Sequence, residues 1–188
     1  MTAKTFLTAA WLAVLAPAAL AHSFDTVVIA PDDITASQRA DMATAFLVAS
    51  EETDAHANQE SDGHLGGLDV YLTLLDATEI GAIASGRPQF VAVPVALGDM
   101  GAITATIAQS SAVMVPPMAA DASDAAQYLA RAANPSLAPF ATRFAEQTGR
   151  QPGPAAIATY IAARRIDGAV RSAGDASDPD RLKALIAR

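Results

Sequence analysis

The chain has no cysteine, so no disulfide can staple it and packing alone must stabilise the fold. It has one tryptophan, Trp11, and three histidines, His22, His56 and His64. Positive charge is scarce as well: twelve Lys and Arg face twenty Asp and Glu, a formal net charge of −8. A surface that acidic repels phosphate backbones, which argues against nucleic acid as a partner. Only one apolar run stands near the N-terminus, and no later segment is long enough to cross a bilayer, which takes about 20 residues.

That first run belongs to a leader. "MTAKTFLTAAWLAVLAPAALAHS" opens with Lys4, continues through the apolar stretch Phe6 to Leu15 and ends in Ala19-Leu20-Ala21. Positive region, apolar region and A-x-A site are the order of a secretory signal peptide. The expectation is a signal peptide over residues 1–21 and export to the periplasm. Residues 22–188 then form the mature chain, with His22 as its new N-terminus and no membrane span. That is the size of one domain and long enough to bury a core.

Beyond the leader, apolar runs alternate with helical patterns. Phe24–Ala30 is a strand rich in β-branched residues and closed by Pro31. A helix follows, with Thr35 and Gln38 spaced for a capping box and Met42, Ala45, Phe46 and Ala49 at helical intervals. "GLDVYLTLLD" is a second strand, begun by Gly66-Gly67 and ending near Asp76. "ATEIGAIASG" is a short helix closed by Gly86, "PQFVAVPVA" a third strand, "GDMGAITATIAQS" a helix and "AVMVPP" a fourth strand. The last third is helical: "DASDAAQYLARAA", then "SLAPFATRFAEQTG" with Gly149 as its stop. "PGPAAIATYIAARRIDGAVRSAG" follows with Pro154 near N1 and Gly174 at its end, and last a helix capped by Asp178 and begun by Pro179. Strands alternating with helices predict an α/β fold: an open, mainly parallel sheet of about four strands with helices on both faces, plus C-terminal helices.

"TVVIAPDDITASQRADMATAFLVASEET…GHLGGLDVYLTLLDA" resembles the opening of the type I periplasmic solute-binding proteins. These serve ABC transporters for branched-chain amino acids and amides. Pro31, Gly63, Gly66, Gly67 and Asp76 carry the likeness. "PFATRFAEQTGRQPGPAAIATYIAARRIDGAV" is similar to the late helices of the same family, through Phe140, Phe144, Gly149, Pro152, Ala155, Tyr160 and Ala163. The resemblance implies a non-enzymatic binding module for a small solute, with an ABC permease as partner. Members have two lobes. Here the fourth strand leads almost directly into the late helices, so the likeness implies a single lobe. A second copy or another chain would complete the cleft in trans. Where amino-acid-binding members place small hydroxyls, this sequence has Asp99 and Met100, and Pro116-Pro117 offer no donor. A carboxylate ligand is therefore disfavoured.

Ligands of open parallel sheets sit outside the carboxyl ends of the strands. The loops expected there contain Asp32, Asp33, Asp76, Asp99 and Asp121, with Asp124 beside the last. They suit a cation or a neutral, donor-rich solute; the alternative reading is helix capping by Asp33, Asp99 and Asp121. At the opposite edge, topology should gather His22, His56 and His64. A free N-terminal histidine chelates through its α-amine and ring, which with another imidazole suits Cu(II), or Zn(II) with a carboxylate. The alternative is that these are ordinary exposed histidines. Asp32-Asp33 lack a facing carboxylate, and Ser110-Ser111 lack a histidine for a triad, so no catalytic site is expected. Tyr160 reads as packing, and Arg164-Arg165 as a solvated helix face.

Overall fold

The computed structural model describes residues 23–52, 61–117 and 137–188. The elements are strands β1 (Ser23–Ala30), β2 (His64–Leu65), β3 (Leu68–Asp76), β4 (Phe90–Ala92) and β5 (Val113–Val115). The helices are α1 (Ala36–Glu51), α2 (Ile83–Gly86), α3 (Met100–Ala108), α4 (Leu137–Thr148), α5 (Pro154–Ala173) and α6 (Pro179–Ile186). A 3₁₀ turn, Ala77–Ala82, precedes α2. The strands form one sheet in the order β2-β3-β1-β4-β5. β3, β1, β4 and β5 run parallel, and β2 is antiparallel to β3. The fold is α/β, as the alternating pattern requires.

Helix boundaries follow their local signals. Thr35 accepts the Gln38 N–H, and the Gln38 side chain returns to the Thr35 N–H at 2.8 Å, a complete capping box. Asp99 caps α3 by accepting the Ala102 N–H at 2.9 Å. Asp178 caps α6 through the Asp180 and Arg181 amides. Gly149 and Gly174 end α4 and α5 with φ of +72° and +82°. One stop differs from expectation: α2 closes on Arg87, left-handed at φ 47°, not on Gly86. The expected helix over "DASDAAQYLARAA" lies outside the described residues.

The sheet departs from the expected four strands in three ways. A fifth strand, β2, is only two residues long, because Gly66 and Gly67 turn the chain at positive φ straight into β3. β4 is three residues, since Pro94 has no N–H to continue the ladder. β5 is likewise stopped by Pro116-Pro117. Cover also differs between the two faces. Phe24, Val28 and Ala30 of β1 enter the larger core, with Phe46 of α1, Phe140 and Phe144 of α4, Ile166 of α5 and Leu182 of α6. The alternate residues Val27 and Ile29 enter a smaller cluster with Ile83 of α2 and Ile103 and Ile107 of α3. That second cover stops halfway down the sheet: Asp25, Tyr71 and Thr73 of the same face are exposed.

The late helices dock by charge as well as by apolar packing. Arg150, after α4, pairs with Asp41 of α1, and Gln147 donates to Glu51. Tyr160 donates to Glu52 at 2.7 Å, and Arg164 reaches the same oxygen at 3.2 Å. The pair read as a solvated face is thus a clamp: Arg165 donates to the carbonyls of Pro116 and Ile186, joining the end of β5 to the end of α6. Tyr160 stacks on Phe140 with ring centroids 4.1 Å apart, so its packing role holds.

The outer edge of β3 is closed by its neighbours. Val70 exchanges backbone bonds with Asp62 and Gly63, the Asp62 carboxylate accepts the Leu72 N–H, and Arg39 donates to the Leu74 carbonyl. Each device removes a group that would otherwise template pairing with another chain.

Candidate functional site at the carboxyl edge

β1 lies between β3 and β4, so the chain leaves β1 toward one neighbour and enters the other from the opposite side. The crevice outside the carboxyl ends of such strands is the usual binding position in an open α/β sheet. A cleft of ≈ 510 Å³ opens there, between the loop after β1, the 3₁₀ turn and the start of α3. Its lining includes Pro31, Asp32, Asp33, Thr78, Gly98 and Asp99, and among the described residues its only charged ones are the three aspartates. A second cleft of ≈ 440 Å³ shares Pro31, Asp32 and Thr78, and adds Thr35, Arg39 and Asp76.

The aspartates have different occupations. Asp99 is committed to the α3 cap. Asp76 is in an ion pair with Arg39, whose guanidinium is also held by the Leu74 carbonyl at 3.0 Å. Asp32 accepts the Thr78 N–H at 3.4 Å, a long bond that ties the β1 loop to the 3₁₀ turn. Asp33 is exposed and does not cap α1, because Thr35 takes that N-cap. The capping reading is therefore right for Asp99 and wrong for Asp33. Asp121 and Asp124 lie outside the described residues.

Sequence reasoning found these acids from loop position. It missed Arg39, which sits one turn into α1 and reads as an ordinary exposed helix residue. Only the packing of α1 beside the end of β3 brings its guanidinium to Asp76.

At the opposite edge, His22 and His56 lie outside the described residues. His64 Nε2 is 2.9 Å from Asp69 Oδ1 across the β2–β3 hairpin. Ser23, the residue after His22, is in register with Asp69, and Asp69 with His64. Among the described residues no group of three or more His, Asp or Glu side chains is arranged to hold a metal ion. Nor, among them, is any helix long and apolar enough to cross a membrane.

Comparisons with family models, curated proteins and solved structures return no match to this chain.

Proposed function

We propose that the protein is an exported, non-enzymatic solute-binding module, a single lobe of the type I periplasmic-binding-protein kind, working with an ABC permease. The carboxyl-edge cleft is its binding site. The observation that carries this reading is a ligand-sized cleft at the sheet's switch point, lined by Asp32, Asp33 and Asp99 with no basic residue among the described ones. Such a lining favours a cationic or neutral, donor-rich solute and repels a free carboxylate. A single lobe closes on its ligand only against a second body, which a second copy supplies face to face.

Native mass spectrometry of protein purified from its own exported compartment tests the reading. A co-purifying cationic or neutral solute, lost on Asp33→Ala, supports it. A protein that emerges bare and shows no thermal shift with amides, urea or putrescine overturns it. Sedimentation showing only monomer across micromolar concentrations removes the two-copy form.

A second reading is copper or zinc handling through His22 with His56 or His64. It is favoured by the cross-strand row Ser23–Asp69–His64, which brings the residue after His22 to the hairpin that carries His64. One alanine inserted before His22 displaces a terminal chelate. Unchanged copper affinity would exclude this form.

A further inference from the structure

A groove of ≈ 360 Å³, which shares no described lining residue with the carboxyl-edge clefts, lies beside β5 and between α3 and α6. Its volume falls in the range of small-molecule sites, about 300–1,000 Å³. Ile107, Ala112, Met114, Pro116 and Ile186 make its walls apolar, and the methionine is the side chain best able to adapt to an irregular guest. Among the described residues Lys183 is its single charged lining residue. The groove is thus opposite in charge to the carboxyl-edge cleft, in a chain of net charge −8.

The backbone of β5 contributes polar groups of both kinds. Val113 donates to Gln89 and the Val115 carbonyl accepts from Val93, so both residues of β5 face β4. In a parallel ladder the residue between them turns both its N–H and its C=O away from β4, and Met114 is among the residues that line the groove. The nearby carbonyls of Pro116 and Ile186 are occupied by Arg165 at 2.8 and 2.9 Å, so they do not favour a cationic guest. Lys183 is half-exposed, and its partner Asp180 is 3.4 Å away on the open helix surface. A surface pair of that kind is weak enough to yield to a guest.

We infer that this groove binds a small aliphatic carboxylate, its chain along Ile107, Met114 and Ile186 and its head group at Lys183. The inference uses no residue of the carboxyl-edge site and stands apart from the solute reading.

Calorimetric titration of the mature protein with hexanoate, octanoate and decanoate, all below their micellar range, tests it. Each added methylene should tighten binding by about fourfold, ~0.8 kcal/mol. Octanol should bind roughly threefold more weakly than octanoate, and octylamine more weakly still. Lys183→Glu should reverse the order of octanoate and octylamine. Ala108→Phe, on an exposed position of α3 that lines the groove, should lower octanoate affinity by about tenfold or more with an unchanged thermal melt. Absence of binding, a flat chain-length series, equal affinity for octanoate and octylamine, or full affinity in Ala108→Phe would each overturn the inference.

Discussion

Asp167 accepts the Gly66 N–H at 2.7 Å, joining the late helix α5 to the turn between β2 and β3 across 101 residues of sequence. Asp167 is buried, 4 % exposed, and its carboxylate is also held by Arg171 at 2.9 Å. Gly66 sits at φ +66°, and a Cβ there would lie 2.4 Å from Val170 Cγ1. The turn therefore needs both glycine's left-handed backbone and its lack of a side chain.

Asp167→Ala should cost about 1–3 kcal/mol, because it leaves the Gly66 N–H without its acceptor. Gly66→Ala should destabilise as well, by about 1–3 kcal/mol from the φ alone, with the Val170 contact adding to it. Urea unfolding of each variant measures both. Full stability in Gly66→Ala would contradict the close approach of turn and helix.

Thr26 is fully buried in the larger core, and its hydroxyl has no hydrogen-bond partner. Thr26→Val keeps the shape and removes the orphaned group. The expected change lies between zero and about 1 kcal/mol of added stability. A clear loss in thermal or urea unfolding would mean that the hydroxyl is satisfied in solution.

Asp99 and Asp33 should separate capping from ligand contact. Asp99→Ala removes the α3 cap and should cost about 1 kcal/mol, restored in large part by Asp99→Asn or Asp99→Ser. Asp33→Ala should leave stability within about 0.5 kcal/mol, as at an exposed position that caps no described helix. Denaturation midpoints of the variants, read beside solute binding, make the distinction.

Burial, then the hydrogen bond to Glu52 and that carboxylate's charge, raise the Tyr160 hydroxyl above the ordinary tyrosine value of 10.0. A group whose folded pKa is raised contributes stability that is fully present below the unfolded pKa. That contribution is lost as pH climbs from there through the folded value. The protein should therefore lose stability as pH rises above about 10. Tyr160→Phe should be less stable at neutral pH yet show a shallower alkaline decline. Parallel slopes for the two proteins would remove Tyr160 as the cause.

The sequence by itself determined the α/β class, the single capped helices and the approximate strand positions. Caps, stops and proline breaks act within three or four residues, and Thr35 with Gln38, Pro154, Gly174 and Asp178 with Pro179 each carry their instruction locally. It also placed Asp32, Asp33, Asp76 and Asp99 at strand ends, since a strand's direction fixes where the following loop emerges. Tertiary structure alone decided what those residues face. Arg39 meets Asp76, Arg165 clamps β5 to α6, Asp167 holds Gly66, and half of one sheet face stays open at Asp25 and Tyr71. Each of these depends on how helices distant in sequence settle against the sheet, and that follows from the summed fit of the buried side chains. No short stretch of the chain encodes such a sum, which is why the aspartates of the carboxyl edge were legible and the groove beside β5 was not.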